Sequence, residues 1–452
     1  MNPNDYTLPE LSPAQQKRPI IWLNLGLVAL VAAGLFSLLL VLSRTPGIQD
    51  IIPWTDFFHT ALIVHVDLSV LIWFLSFAAL LWSIQQAQYA PTLEKVALSL
   101  AILGTSAIII APFTGEAQPL LNNYIPILQQ PLFLLGLGLF ISGIALQLIP
   151  VLLHTTTPRS TTYTASQALQ FGIRSASLTT LIALLIFIYS YLTLPSDLIG
   201  KTYFEYLFWG SGHVLQFTHS LMMLVAWLWI SQGSGVPLNI APKTTRLLLA
   251  LCLLPAFIAI PISLGSETYS LEHRINYTEL MRWGGLTSLP LGLIIAYYLL
   301  RADKASGAQR PIRNALICSV LLFATGGVLA FMIHGINVVI PAHYHGSIVG
   351  ITLAFMGLGY LLLPKLGFSA PDTKLARIQP YVYGGGQLMH ILGLAWSGGY
   401  GVQRKTAGAA QGLDQLPEIA GMAMMGLGGL IAIIGGLLFL IVMIQAMIKK
   451  PR

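Results

Sequence analysis

The chain has 452 residues, of which 55% are hydrophobic and only 9% are charged. Ordinary soluble domains carry roughly a quarter charged residues, so this composition excludes a soluble protein. The formal net charge of +7 is compatible with a nucleic-acid partner, but the positions of the basic residues, described below, indicate a membrane topology instead. The sequence therefore predicts an integral membrane protein that binds no nucleic acid.

Apolar runs of about 18 to 28 residues recur along the chain, and each is long enough to cross about 30 Å of hydrocarbon as a helix. A polar segment precedes the first run, which predicts a retained span and not a cleaved signal peptide. The predicted fold class is all-α integral membrane, a bundle of about twelve transmembrane helices. We expect a cytoplasmic segment at 1–19, a single membrane domain at 20–448 and a cytoplasmic tail at 449–452. The predicted spans are 20–43, 57–85, 95–113, 127–153, 168–193, 204–232, 246–266, 280–300, 312–334, 341–364, 381–398 and 420–448.

The basic residues give this bundle an orientation. When the spans alternate from an inside N-terminus, seventeen of the 23 Lys and Arg residues fall on one side, as the positive-inside rule requires of cytoplasmic segments. The two cysteines, Cys252 and Cys318, lie far apart in apolar runs, so no disulfide or thiolate metal motif is predicted. Both termini are expected in the cytoplasm, with the plasma membrane (the inner membrane of a bacterium) as the location.

Five of the ten histidines are predicted to lie at one depth, near the outer ends of their spans. Ionisable groups in the hydrocarbon are costly and usually mark function, and neutral imidazole is the common ligand of heme iron and first-row metals. Their convergence from four helices indicates a metal or heme site near the outer face. The five are His65, His213, His273, His343 and His345.

His343 and His345 are the most informative pair. Positions i and i+2 of a helix lie about 200° apart, so the two imidazoles point to opposite faces. A tetrahedral metal site needs its ligands on one face, whereas two flat cofactors on either side of one helix need this divergence. The spacing therefore favours two hemes flanking the helix that begins near Pro341.

The sequence Val-Ile-Pro-Ala-His-Tyr-His-Gly, residues 339–346, resembles the helix that ligates both hemes in the heme-copper oxidase superfamily, which includes nitric-oxide reductases. The resemblance implies that His343 is the proximal ligand of a high-spin heme and that His345 is an axial ligand of a low-spin heme. The segment ALIVHVDLSVLIWFLSF resembles the second helix of the family, which implies His65 as the other low-spin ligand. His59 is the alternative.

Two further segments resemble the family's non-heme metal site. His213, in WGSGHVLQFTHS, matches the metal-binding histidine of the sixth helix, whereas His219 is expected to face elsewhere. In SLEHRINYTELMRWGGL the family's two adjacent histidines are replaced, either by His273 and Arg274 or by Glu272 and His273. We favour the second register, because an arginine would be repelled by a dication. The expected ligands are then His213, His273 and Glu272.

Near the end of the chain, MHILGLAWSGGYGVQRKTAG resembles the stretch whose basic pair holds the heme propionates. The resemblance assigns that role to Arg404 and Lys405. The remaining histidines are expected to be structural or to support the ligands from outside the coordination sphere; they are His154, His334 and His390.

The resemblance implies a catalytic subunit with two hemes, expected to be of b type, and one non-heme iron or copper, which reduces a diatomic gas. Phe217 stands where oxygen-reducing members have a tyrosine and nitric-oxide reductases a glutamate. A carboxylate ligand favours iron, and reduction of NO to N2O tolerates the missing tyrosine better, so NO is the favoured substrate. Tyr269 keeps oxygen reduction open as the alternative.

No acidic residue lies in the inner half of a predicted span, which favours proton uptake from the outer side. The acidic residues placed towards that side are Asp67, Glu116, Glu205, Glu267 and Glu279. The chain has no Cys-x-x-Cys-His motif and no cupredoxin-like cluster. An electron-donating partner subunit with a cytochrome c or copper centre is therefore expected. A proton-coupled transporter, with histidines that relay protons, is a second alternative.

Overall fold

The computed structural model describes residues 5–8, 10–45, 55–86, 89–153 and 163–449. Helices account for about four fifths of these residues, as expected for an all-α protein. The elements in chain order are α1 (Pro13–Arg44), α2 (Thr55–Val66), α3 (Trp73–Gln85), α4 (Pro91–Ile110), β1 (Gln118–Leu120), β2 (Ile127–Gln129), α5 (Pro131–Leu153), α6 (Ala165–Thr193), α7 (Gly200–Gly233), α8 (Pro242–Gly265), α9 (Leu271–Gly284), α10 (Leu289–Arg301), α11 (Gln309–Phe331), α12 (Val339–Lys365), α13 (Lys374–Gly399) and α14 (Leu416–Ile448).

Eleven helical stretches within the described residues are long and apolar enough to cross a bilayer. Two of them combine consecutive helices: Phe57–Gln85 joins α2 and α3, and Leu271–Arg301 joins α9 and α10. The remaining predicted span, 381–398, lies within α13, a helix of 26 residues that is less apolar than the other eleven. The prediction of an all-α bundle of about twelve membrane helices is confirmed.

The helices fall into two compact units. The first unit comprises residues 1–26 and 71–303. Within it α4 packs along α5, and α6 packs along α7 and α8. A buried apolar cluster joins α6, α7, α8 and α9, with Val214, Phe217, Ala256 and Tyr277 among its members.

The second unit comprises residues 27–70 and 304–452. Its helices pack as the pairs α11 with α12 and α13 with α14. Glycines allow the second pair to approach closely: a Cβ built at Gly393 would lie 2.5 Å from the carbonyl oxygen of Gly421. Small residues at such contacts are typical of helix packing in membranes.

Three local features place the candidate site residues. Six π-helical residues, Asp67–Ile72, connect α2 to α3 directly after His65, and such bulges inside helices occur frequently at functional sites. The Ser270 hydroxyl caps α9 by accepting a hydrogen bond from the backbone N–H of His273 at 3.1 Å. Strands β1 and β2 form an antiparallel hairpin with Leu120 opposite Ile127, so residues 121–126 form its loop.

Candidate heme and metal sites

Three histidines of the second unit share one hydrogen-bonding pattern. The Nδ1 atom lies 2.9 Å from the Ala33 carbonyl oxygen in His65 and 2.7 Å from that of Gly326 in His343. In His390 the corresponding distance, to the Met425 carbonyl, is 2.9 Å. A carbonyl oxygen can only accept, so Nδ1 carries the proton and Nε2 keeps its lone pair. Imidazoles that bind metals are commonly oriented in this way, with the other ring nitrogen donating to a carbonyl.

His345 lies at the centre of a cluster in the second unit. Its ring centroid is 5.1 Å from that of His390, in an edge-to-face arrangement. It is also close enough to His65 and Arg44 to interact with them electrostatically. The structure thus brings together the two histidines predicted to ligate the low-spin heme, and it adds His390 and Arg44 to them.

The Arg44 side chain is the least satisfied group of this cluster. Its Nε and Nη2 atoms are buried and have no hydrogen-bond partner among the described residues. A buried cation without a partner is costly, and an acidic group brought next to it removes that cost. The cluster therefore combines imidazole lone pairs with two guanidinium nitrogens that have no partner among the described residues, a set of groups that fits a heme and its propionates.

Arg404 and Lys405 lie in the loop that follows α13. This loop is tied to the start of α12, because the backbone N–H of Val338 donates to the Val402 carbonyl oxygen at 3.0 Å. Arg404 interacts electrostatically with Tyr344, the residue between the two histidines of α12. The predicted propionate ligands therefore belong to a loop at the helix end that carries His343 and His345.

The first unit contains the second group of predicted site residues, beginning with His213 on α7. The imidazole is only 2% exposed, and its Nδ1 donates to the Trp209 carbonyl oxygen at 2.6 Å. Nε2 then has the lone pair, and it accepts a hydrogen bond of 2.7 Å from the Tyr124 hydroxyl. The rings of Tyr124 and His213 are also in contact, with centroids 4.5 Å apart.

Tyr124 reaches His213 from the loop of the hairpin. A Cβ atom at Gly212 would overlap the Tyr124 ring, so the glycine permits this approach. Glu205 holds the neighbouring residue: its carboxylate accepts from the backbone N–H of Asn123 at 3.0 Å and from the Asn123 side-chain amide. Burial and the nearby Glu205 carboxylate raise the pKa of Tyr124, so the hydroxyl is protonated at neutral pH and donates.

His273, in the first turn of α9, is fully buried. Its Nδ1 lies 3.1 Å from the Ser266 hydroxyl, and its Nε2 is buried without a hydrogen-bond partner among the described residues. The Tyr277 ring contacts both imidazoles, with centroids 4.9 Å from His273 and 5.5 Å from His213. His213 and His273 are close enough to interact electrostatically.

Glu272 and Arg274, on either side of His273, point elsewhere. The Glu272 side chain is exposed, and the structure does not bring it to the pair of histidines. The Arg274 guanidinium lies over the rings of Trp209 and Tyr206, 4.7 and 5.7 Å from their centroids. Among the described residues, no group of three or more His, Cys, Asp or Glu side chains is arranged to hold a metal ion.

The other residues considered in the sequence lie outside both clusters. The His59 ring contacts its neighbour Phe58, and the buried His219 ring contacts Phe74. Tyr269 is 46% exposed and lies against Tyr206. His334 is exposed, and its Nδ1 is hydrogen-bonded to the Met332 carbonyl oxygen. His154 lies outside the described residues.

Sequence reasoning missed three residues of these clusters. Tyr277 stands four residues after His273, one helical turn away, and that spacing is a signal that the sequence offered. Arg44 directly follows the first predicted span, 20–43, where a basic residue on the outer side departs from the positive-inside pattern. Tyr124 gave no signal, because it is separated from His213 by 89 residues and reaches it through a loop.

A bundle of long apolar helices with two clusters of histidines defines the class as an integral membrane protein. The family model described as "Cytochrome C and Quinol oxidase polypeptide I" matches residues 19–438, and the chain belongs to this family. It is therefore a heme-copper oxidase subunit I-like protein and an oxidoreductase of the respiratory type.

Individual proteins resemble the chain over most of its length. An uncharacterized protein of Rickettsia prowazekii (strain Madrid E) is 30% identical, with 92% of this chain and 93% of that protein covered. An uncharacterized protein of Aquifex aeolicus (strain VF5) is 26% identical over 80% of this chain and 89% of its own length. The structure of a heme-copper terminal oxidase dimer matches with a TM-score of 0.77 at 17% identity, covering 98% of this chain and 85% of that one. At this identity the structural match establishes the fold.

Proposed function

We propose that the chain is the catalytic subunit of a membrane respiratory complex that reduces NO to N2O. With its cofactors bound, the chain would hold a low-spin heme that accepts electrons, and a high-spin heme with a non-heme metal at which the gas would bind. When bound, the two hemes supply electron transfer and the high-spin iron and non-heme metal supply the binding of the diatomic substrate. Two molecules of NO, two electrons and two protons give one N2O and one water.

The residues of the second unit fit the heme part of this proposal. His65 and His345 are the proposed axial ligands of the low-spin heme, and His343 is the proposed ligand of the high-spin heme. Hydrogen bonds from Nδ1 to backbone carbonyls hold His65 and His343 with Nε2 available. Arg44, Arg404 and Lys405 are the proposed partners of the propionates, which need cations because they are buried anions.

The donor set of the first unit is the observation that carries the choice of NO. Two buried imidazoles, His213 and His273, lie near each other, and the described residues provide no third imidazole beside them. Three imidazoles suit copper, whereas a site completed by an oxygen donor suits iron better. Phe217 is buried in the apolar cluster and brings no hydroxyl one turn after His213, where oxygen-reducing relatives of the family have one.

One observation favours oxygen reduction as the second candidate. Cleavage of the O–O bond in a single step draws on a fourth electron, for which a tyrosine next to the metal is a suitable donor. Tyr124 and Tyr277 both lie against His213, although neither occupies the position that the resemblance suggested. Oxygen and NO therefore have to be compared by direct measurement.

The chain needs an electron donor, because its sequence has no covalent heme motif and no copper-binding cluster of its own. A partner subunit with a cytochrome c or copper centre is proposed for this role. The distribution of Lys and Arg supports an orientation with both termini in the cytoplasm and the hemes near the outer face.

The deciding experiment compares anaerobic turnover with NO and aerobic turnover with O2 on one purified complex and one reduced donor. We expect N2O formation, with heme and iron found by analysis of the same sample. Cyanide-sensitive uptake of O2 with stoichiometric copper and no N2O would overturn the choice of NO. A pyridine hemochrome spectrum without heme would overturn the whole proposal and favour a proton-coupled transporter.

A further inference from the structure

The Tyr124 hydroxyl lies 2.7 Å from Nε2 of His213, one of the two buried histidines of the first unit. Among the described residues, no third His, Cys, Asp or Glu side chain completes a metal site with the pair of buried histidines in the first unit, and the Glu272 side chain is exposed. A third donor is therefore sought among the hydroxyl groups next to the two histidines. Of the two tyrosines in contact with His213, only Tyr124 directs its hydroxyl at an imidazole nitrogen; that of Tyr277 is bonded to Ser263 and Ala259.

The hydrogen bonds of the two histidines define which atoms face the site. Nδ1 of His213 is committed to the Trp209 carbonyl, so a metal ion can bind this ring only through Nε2. Nδ1 of His273 is bonded to Ser266, and its buried Nε2 has no partner among the described residues. A bound ion is one partner that can complete such a buried nitrogen. Each ring thus offers Nε2.

We propose that the Tyr124 oxygen is the third protein ligand of the non-heme metal, beside Nε2 of His213 and Nε2 of His273. This inference rests on the proposed function, because it presupposes the metal site. The metal takes the place of the hydroxyl proton, which leaves to solvent, and Tyr124 binds as a phenolate. A bound dication favours the loss of a ligand's proton because it supplies the largest positive charge nearby.

The distance between the two atoms suits this arrangement. Two ligands that each lie about 2.0–2.2 Å from one ion stand about 3 to 3.5 Å apart when the angle at the ion is between 90° and 110°. The Tyr124 oxygen is 2.7 Å from Nε2 of His213, so an opening of about half an ångström makes room for an ion between them. The loop of the hairpin is the element that moves.

Tyr124 also gives the site the chemical character required for iron. A phenolate oxygen is a hard donor, as is a carboxylate, and two imidazoles with one such oxygen resemble the sites that nonheme iron prefers. Tyr124 thus takes the role that the sequence assigned to Glu272. If Tyr124 is the oxygen ligand, a substitution of Tyr124 weakens metal binding; if Glu272 is the ligand, a substitution of Glu272 does so.

The experiment uses the full purified complex with its hemes retained, stripped of non-heme metal by a chelator and titrated with Fe²⁺ without oxygen. We expect Tyr124→Phe to weaken Fe²⁺ binding at least about tenfold while heme content stays the same. Tyr277→Phe is the matched control, since it removes a hydroxyl from a ring on the same two histidines and is expected to leave binding within about twofold. Glu272→Gln is likewise expected to bind as the wild type does.

A spectroscopic measurement identifies the ligand directly. Resonance Raman spectra of the oxidised, iron-loaded wild type should contain tyrosinate ring vibrations, which Tyr124→Phe lacks and Tyr277→Phe retains. Unchanged Fe²⁺ affinity and unchanged vibrations in Tyr124→Phe would overturn the inference and leave the proposed function intact, as would loss of metal in Glu272→Gln alone. A wild-type complex with hemes that binds no Fe²⁺ would overturn both.

Discussion

The two histidine clusters differ in the charge of their surroundings. In the second unit His345 lies near the Arg44 guanidinium, and Arg404 interacts with the adjacent Tyr344. In the first unit His213 receives the hydroxyl of Tyr124, next to a loop residue held by a carboxylate. Cations suit a cofactor that carries buried propionates, whereas oxygen donors suit a bare metal dication. The neighbours of similar imidazoles thus differ in the way that the proposed heme and non-heme metal sites require.

The largest expected effect tests the heme side of this comparison. His65→Ala should remove an axial ligand of the low-spin heme, and heme content per chain should fall by roughly half, with loss of donor-driven turnover. A pyridine hemochrome assay and the low-spin absorption bands measure this loss. The matched control is His59→Ala on the same helix, which is expected to keep the wild-type heme content and the low-spin absorption bands.

A variant of His390 tests whether His65 is the axial ligand of the low-spin heme. His390 is in ring contact with His345 but is expected to support the site without binding iron. If His390→Ala lost the low-spin heme and His65→Ala retained it, the axial role would pass to His390. Loss of heme in His59→Ala alone would support the alternative that the sequence left open.

The next largest effect tests the metal side. His273→Ala should lower the affinity for the non-heme metal by more than about a hundredfold and leave the heme content unchanged, because its buried Nε2, which has no hydrogen-bond partner among the described residues, is a proposed metal donor. Metal and heme analysis of one sample measures both quantities. Thr278→Ala, an exposed position on the same helix, is the control. A variant that lost hemes together with metal would show that the two clusters are not separate in function.

A smaller effect is expected at Arg44. Its charge stabilises the reduced heme, which carries one positive charge less than the oxidised form, so Arg44→Gln should lower the low-spin midpoint potential. We expect a fall of about 60 mV, which is a factor of ten for a one-electron couple. Redox titration of the low-spin bands measures it, with the exposed Arg282→Gln as control. A potential unchanged within about 10 mV would place Arg44 away from the heme.

The fold was predictable from the sequence because the bilayer imposes one length and one polarity on every span. The clustering of His213 with His273, and of His65 with His345, was predicted because imidazoles are costly in hydrocarbon and are kept for function. The length of a span and the depth of a histidine along it are both properties of a single helix. Both can be read from the hydropathy of the sequence.

The orientation of side chains on α9 was not predictable in the same way. The register with Glu272 was preferred on the premise that Arg274 would otherwise lie beside a dication. In the structure the guanidinium lies over Trp209 and makes a cation–π contact with its ring. The approach of Tyr124 was also hidden, since it depends on the path of a loop and on a glycine that leaves room for the ring.

The smallest expected effect concerns how that loop is held. Glu205 accepts two hydrogen bonds from Asn123, the residue before Tyr124, and hydrogen bonds to a charged group contribute about 1.5–3 kcal/mol. Because the loop retains its hairpin and the contact with Gly212, we expect Glu205→Ala to weaken Fe²⁺ binding only about three- to tenfold, less than Tyr124→Phe. Glu267→Ala, which removes an exposed carboxylate, is the control. If Glu205→Ala weakened Fe²⁺ binding no more than Glu267→Ala does, the Glu205 carboxylate would not be needed to hold Tyr124 next to His213. The packing of the two rings would then be enough to position the Tyr124 hydroxyl.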